Sequence, residues 1–326
     1  FAAPGQGKSS MPSLMPSVSN QHDLRTTSGI LFMVGAMMTV PTLDALAKYL
    51  SAWLAPGQIA LFRFGFQSVI LMTILTVRGQ FVWPGAVNRW LILAGGLAAG
   101  ATIFLITAVS ILPLATAISI FFVEPLLLTL IAALVLGEKI GPRRIGAIAA
   151  GLTGALIVIR PNWASFGPAV LLPVGAAFCF ACYVTIIRGL STRLHGLPMQ
   201  AWSGTWAMII LAVVVLIGSV AEVPVFRFEP VPGWAWLFLL VMGGIAALVH
   251  MMLAMAFHRV EAGALAPFQY LEIVGATALG YLVFGDFPDA LTWLGTAIIL
   301  ASGLYVFYRE RQAARGAVSG GARPAR

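Results

Sequence analysis

Asp44 and Lys48 stand four residues apart in an apolar run, and Glu124 and Glu272 stand 148 residues apart in two others. Each charge inside a membrane span costs about 2.5–3.5 kcal/mol on insertion scales, so each is a functional candidate with a partner to be named. Residues four apart share a helix face, so Asp44 and Lys48 can neutralise one another, as an assembly pair or as part of a polar pathway. Pro41, three residues before Asp44, withdraws one backbone donor and frees a carbonyl nearby. Glu124 precedes Pro125, and Glu272 follows Pro267-Phe268-Gln269-Tyr270-Leu271, so both carboxyls sit where a helix is easily interrupted. A carboxyl in a low-dielectric cavity is suited to taking up and releasing a proton, which would couple the protein to a proton gradient. Pairing of either Glu with Arg63 is the structural alternative. Arg63 shares a face with Gln67 and reads as an ion-pair partner before it reads as a clamp for an anionic ligand. His250, Gln269, Tyr270 and Tyr183 add hydrogen-bonding and stacking groups at span depth, although a lone intramembrane His is also satisfied by a backbone carbonyl. Glu138 follows Glu124 by about 21 Å of helix and sits beside Lys139, which points to structural charge pairing at a helix end.

Other chemistries find no support. Gly95 to Gly100 is not followed by Lys-Ser/Thr and is no phosphate loop, and His-Glu-x-x-His and a Ser-His pairing are missing. Cys179 and Cys182 form a CxxC within an apolar stretch, without the electropositive exposure of a redox pair. The expectation is a protein that is not an enzyme and needs neither metal nor cofactor.

The elements that hold these residues follow from composition. Of 326 residues, 60% are hydrophobic and 9% are charged, with mean hydropathy +0.95. A soluble surface cannot be assembled from so few charges, so the partner is the lipid bilayer. Helical runs of about 20 apolar residues fall at 28–50, 57–77, 88–109, 114–136, 142–159, 167–188, 200–220, 233–257, 261–284 and 290–308. They do not alternate as barrel strands do. Residues 1–27 read as a disordered cytoplasmic tail without a signal peptide, and 309–326 as a basic cytoplasmic tail.

Net charge is +8, from 19 Lys and Arg against 11 Asp and Glu. With the N-terminus inside, only Arg160 and Arg227 fall on the outer side, and Lys48 and Arg63 lie within spans. That leaves fifteen basic residues on the cytoplasmic side, which supports an even number of spans and orientation, not nucleic-acid binding, as the meaning of the excess. Trp202, Trp206, Trp234, Trp236 and Trp293 near span ends are expected interface anchors. Stripes such as Gly96-xxx-Gly100, Gly146-xxx-Ala150-xxx-Gly154 and Gly243-xxx-Ala247 are expected close-packing faces that would also allow an oligomer.

The chain also repeats itself. Gly95-Gly96 corresponds to Gly243-Gly244, Glu124 to Glu272 and Gly137-Glu138 to Gly285-Asp286, all at an offset of 148. Lys48-Tyr49-Leu50-Ser51 corresponds to Arg188-Gly189-Leu190-Ser191 at an offset of 140. Five spans per copy is an odd number, so the second copy enters the membrane inverted. Inverted copies enclose a midplane site that rocking exposes to either side, which points to transport of a small-molecule metabolite. A membrane sensor or scaffold that has kept the architecture is the alternative.

Leu136-Gly137-Glu138-Lys139-Ile140-Gly141-Pro142-Arg143-Arg144-Ile145-Gly146, continuing to Arg160, resembles the end of an EamA domain of the drug/metabolite transporter superfamily. Phe284-Gly285-Asp286 through Gly295 to Tyr308 is similar to a second copy. The resemblance covers about residues 28–310. It implies an all-α integral membrane protein with ten transmembrane helices in two inverted five-helix repeats, 28–160 and 167–308, in the inner (plasma) membrane. Its central cavity would be lined by spans 1, 3 and 4 and their counterparts 6, 8 and 9. Asp286 stands where Glu is usual, and Asp289-Ala290 where Pro142 would map. The substrates implied are broad; amphipathic compounds with an aromatic part fit the Tyr, His, Gln and acid inventory.

Overall fold

The computed structural model describes residues 18–136, 141–194, 196–260 and 262–320. All regular structure among them is helical: α1 (Val18–Leu50), α2 (Pro56–Val77), α3 (Asn88–Ile111), α4 (Leu114–Phe121), α5 (Glu124–Leu136), α6 (Pro142–Phe166), α7 (Leu172–Leu190), α8 (Gly196–Val220), α9 (Ala235–Arg259), α10 (Ala262–Gln269), α11 (Leu271–Phe284) and α12 (Ala290–Gly320). Helices satisfy every backbone group internally, the condition for apolar runs that face lipid. Pro56 and Pro142 open α2 and α6, where a missing N–H costs nothing. α1 begins at Val18 and α12 continues to Gly320, so helix replaces part of both expected tails.

Among the described residues, eight segments are long and apolar enough to cross a membrane. The difference from ten expected runs has two causes. Pro142–Leu190 is one 49-residue segment, about 73 Å if straight, far more than a bilayer core of about 30 Å. It turns at Gly167, whose φ of 58° suits glycine. The expected run 261–284, with Pro267, Gln269, Tyr270 and Glu272 inside it, is not among the eight, and it is divided at Tyr270 into α10 and α11.

The run 114–136 is likewise divided, at Phe122-Val123, 148 residues before Tyr270-Leu271. Glu124 is thereby the first residue of α5, and Glu272 lies in the first turn of α11. Both carboxyls stand at helix N-termini, where unpaired N–H groups and the macrodipole favour negative charge. Local structure repeats elsewhere too: Ser51 donates its hydroxyl to the Lys48 carbonyl at 2.7 Å, and Ser191 does the same to the Arg188 carbonyl at 2.7 Å.

Packing differs between the two ends of the bundle. At the end where α1 finishes, one cluster joins α1, α2, α3, α4, α6, α8, α9, α11 and α12 through residues such as Leu50, Leu112, Ile118, Leu211 and Leu239. An edge-on aromatic group tops it, with Trp53 and Trp234 rings 4.9 Å apart and Tyr49 5.1 Å from Trp53. The loop after α8 is fastened to it by Gln58, whose Nε2 donates to the Glu229 carbonyl at 2.8 Å and whose Oε1 accepts the Glu229 N–H at 3.0 Å. At the opposite end the core is divided into separate clusters. One joins α1 to α9 and α10 through Met33, Val249 and Leu265; a second joins α3, α7 and α8 through Leu91, Leu190 and Met199. Leu75 with Ala201, and Leu126 with Ile148 and Val306, centre the remaining two.

Of the expected stripe glycines, Gly154 and Gly243 make close approaches and Gly96, Gly100 and Gly146 do not. A Cβ on Gly95 would press on the backbone of α8, whereas Gly96 and Gly100 have room, and Gly146 has no neighbour. Gly243 meets Phe66 of α2. α6 and α12 touch backbone to backbone: a Cβ on Gly154 would stand 2.9 Å from the Gly295 carbonyl oxygen, and one on Gly295 would strike the Gly154 carbonyl oxygen. Two tryptophans expected as lipid anchors are internal instead. Trp202 is buried and donates its indole N–H to the Val82 carbonyl at 2.9 Å, and Trp206 donates to Asn88 Oδ1 at 2.8 Å. An indole N–H withdrawn from water needs such a partner, and the chain before α3 and the first residue of α3 supply one each.

Candidate functional site

Lys48 lies in the last turn of α1 and reaches past the helix end. Its Nζ donates to Asp286 Oδ2 at 2.8 Å and to the Leu112 carbonyl at 2.8 Å, and stands 5.1 Å from the centre of the Phe284 ring. Gly285, at φ 72°, ends α11 in a left-handed turn that sets Asp286 facing α1. The pairing expected between Lys48 and Asp44 is not made. A carboxylate, a carbonyl and an aromatic face at one point outweigh a single carboxylate one turn away.

Asp44, left without that partner, is 9% exposed, and its Oδ2 accepts no hydrogen bond. The cation within its electrostatic reach is Arg63. Arg63 does not pair with Glu124 or Glu272 as expected; it donates to Thr102 Oγ1 of α3 at 2.9 Å and lies 5.1 Å from the Phe64 ring, with Nε unpartnered. A hydroxyl on α3 gave no signal in the sequence. Gln67, on the same face, is buried with its Oε1 also unpartnered.

Glu272 is 9% exposed and within electrostatic reach of Asp44 and Glu124. Pro41 of α1 rests against Gly275 of α11, which aligns the two helices. Asp44 lies three residues beyond that contact and Glu272 three before it, so the carboxyls are offset by about 9 Å along the shared axis. Glu124, half-buried at the other break, is reached by the charges of Arg188 and Tyr270 senses Glu124 in turn. His250 bonds through Nδ1 to the Ala246 carbonyl at 2.7 Å and lies within reach of Arg63.

Aromatic rings join the two breaks. Phe122 lies 5.4 Å from Tyr270, Phe121 lies 5.8 Å from Phe180, and Phe180 lies 5.6 Å from Tyr183. The Tyr270 hydroxyl lies against Gly303, where no side chain would fit. Tyr183 is buried and donates to Gln200 Oε1 at 2.9 Å, and Gln269 is half-buried at the end of α10. The structure therefore gathers Asp44, Arg63, Glu124, His250, Tyr270 and Glu272 at mid-height, sends Lys48 to one end, and keeps Tyr183 at the aromatic margin. Glu138 lies outside the described residues. Asp286 was legible only as the repeat counterpart of Glu138. No group of three His, Cys, Asp or Glu among the described residues is placed to hold a metal.

The arrangement is a buried, charged layer between helix breaks. A model of the EamA-like transporter family matches residues 27–160 and again 167–308. The chain belongs to that family. Within it, the chain is 28% identical to an S-adenosylmethionine uptake transporter of Rickettsia felis, over 88% of this chain and 94% of the relative. It is also 28% identical to a riboflavin transporter of Vibrio cholerae, over 88% and 95%. To the pseudopaline exporter CntI of Pseudomonas aeruginosa it is 27% identical, over 84% and 94%. A solved structure that is 21% identical aligns with a TM-score of 0.55 over 86% of this chain and 97% of the other, which shows a shared fold. This EamA-family chain is a multi-pass membrane protein and a small-metabolite transporter, not an enzyme.

Proposed function

We propose that the chain is a secondary transporter working by alternating access in the inner (plasma) membrane, with both termini cytoplasmic. The observation that carries this reading is a set of buried, incompletely partnered charges lying between a continuous core at one end and a divided core at the other. Ten spans are proposed: α1, α2, α3, α4 with α5, α6, then α7, α8, α9, α10 with α11, and α12. They form two inverted repeats, 28–160 and 167–308. The matching helix breaks, the matching serine bonds at Ser51 and Ser191, and the family's double match support that division. With the basic loops inside, the Lys48 end faces outward, so the described conformation is closed to the exterior and divided toward the cytoplasm.

Broken helices are where transporters place substrate sites, because the half-helix ends offer unpaired backbone groups to a ligand. On this reading the Lys48–Asp286 pair is an outer latch between the two repeats. Arg188 is the repeat counterpart of Lys48 and is proposed to help close the cytoplasmic side in the alternate state. S-adenosylmethionine and riboflavin, named for relatives, are the first substrates to try.

The test is flux into proteoliposomes holding the purified chain, with and without an imposed proton gradient. Uptake of at least one such metabolite is expected, falling to background in Asp44→Asn while the variant remains monodisperse. Absence of flux for every metabolite tried would overturn transport. Proton coupling through Glu124 and Glu272 is lost as an idea if Glu124→Gln and Glu272→Gln both leave the pH dependence of flux unchanged.

A further inference from the structure

The buried layer is unbalanced in charge. Asp44, Glu124 and Glu272 bring three carboxyls; Arg63 lies within electrostatic reach of Asp44 and Arg188 within reach of Glu124, which leaves the three acids one permanent cation short. Lys48 cannot correct this, because Asp286 and the Leu112 carbonyl already occupy its ammonium. His250 has one ring nitrogen committed to the Ala246 carbonyl. Asp44 Oδ2 is buried without any hydrogen bond, and neither Glu124 nor Glu272 has an ion pair among the described residues. In a medium with little water such carboxyls take up a proton or are met by a positive counter-charge, and a cationic ligand would supply the one that Arg63 and Arg188 leave missing.

The rings beside them fit the same ligand. Phe122 and Tyr270 line the two breaks at the level of Glu124, and Phe121, Phe180 and Tyr183 continue the aromatic surface onto α7. Aromatic faces attract cations through their quadrupole, more strongly where water is excluded. Between Asp44 and Glu272 the axial offset of about 9 Å is the length of a small organic molecule, so both carboxyls are able to hold one ligand from two sides.

We infer that the transported metabolite carries net positive charge on an organic frame with an aromatic part, held by Asp44, Glu272 and Glu124 against the Phe122 and Tyr270 rings. This rests on the transporter reading and narrows it to one substrate class. The membrane-permeant probes tetraphenylphosphonium and tetraphenylborate have the same shape and opposite charge; S-adenosylmethionine and S-adenosylhomocysteine differ by one methyl group and the sulfonium charge.

Equilibrium binding to the purified full chain in nanodiscs tests the inference with both pairs. The expected result is saturable binding of at least one cation, at least tenfold tighter than its uncharged or anionic mate, and weakened at least tenfold in Glu272→Gln and in Asp44→Asn. Tyr270→Leu should weaken it less, and Glu272→Asp, which keeps the charge, should restore most of the affinity lost in Glu272→Gln. Equal binding of both members of each pair, binding of neither cation, or tight cation binding that survives both neutralisations would overturn it. Flux of a neutral or anionic metabolite by the same preparation, with no cation bound, would overturn the charge assignment and leave transport standing. A lack of any flux despite selective cation binding would instead remove the transporter reading alone.

Discussion

Leu50, Leu112 and Leu114 belong to a single cluster that spans nine helices at the Lys48 end, while Met33, Leu91, Leu75 and Leu126 at the opposite end belong to four smaller clusters, bridged to each other or to the large one only by half-buried side chains such as Met72 and Ile245. The same helices run through both regions, and all of these side chains are fully buried. What differs is whether neighbours across the middle of the bundle belong to one packed body. The Lys48–Asp286 pair, the Gln58–Glu229 bonds and the Tyr49–Trp53–Trp234 group lie at the continuous end, while the Trp202 and Trp206 indole bonds fasten the opposite one. Interiors pack at crystal-like density, so a cluster either closes or parts and does not stretch. The contrast therefore teaches that opening one end and closing the other requires exchanging cluster partners, with the charged layer as the level where the exchange occurs.

The strongest way to break that contrast is to hold the Lys48 end shut. With Cys179 and Cys182 replaced by Ala, Lys48→Cys with Asp286→Cys joined by a short bifunctional thiol reagent should lower flux to background, and reduction should restore it. Flux through the joined protein would mean that this end does not open. Overfilling the α6–α12 seam comes next: Gly154→Leu should cost about 2–3 kcal/mol of stability in a detergent melt, whereas Gly146→Leu should stay within about 0.5 kcal/mol.

Smaller effects sharpen the comparison. Lys48→Gln leaves Asp286 half-buried without its cation, and labelling of a cysteine placed at Ala117 by an impermeant thiol reagent should rise about tenfold, equivalent to about 1.4 kcal/mol. Lys48→Gln with Asp286→Asn should add little to either single change, because both remove one interaction. Gln58→Ala should lower stability by about 1–2 kcal/mol through two lost bonds to the Glu229 backbone. Arg227→Ala should change it by less than about 0.5 kcal/mol, because that pair is 3.9 Å apart and exposed.

Much of the fold was legible because apolar run length and Pro or Gly punctuation act locally. The runs over 57–77 and 88–109 fall within a residue or two of α2 and α3, and Pro142 marks the start of α6. Pro125 and Pro267 announced interrupted helices around Glu124 and Glu272, and both carboxyls stand beside helix breaks. Partners were harder to read. The i, i+4 rule joined Lys48 to Asp44, but the choice depended on Asp286 and the Leu112 carbonyl, 238 and 64 residues away. Arg63 found a threonine hydroxyl that no charge pattern announces. Which glycine of a stripe is pressed depends on the rotation of its helix, so Gly95 took the contact that Gly96 was expected to make. Trp202 and Trp206 sat near span ends as anchors do, yet the chain before α3 and the first residue of α3 captured one N–H group each.

The seam between α6 and α12 carries a consequence for heredity. Each glycine leaves the space that the other's carbonyl occupies, so a side chain gained at Gly154 cannot be accommodated by any later change at Gly295, where every substitution also adds bulk. No sequence of single neutral steps leads away from the pair. The two positions are closed to ordinary drift, and a descendant either inherits both glycines or must rebuild how its two halves meet.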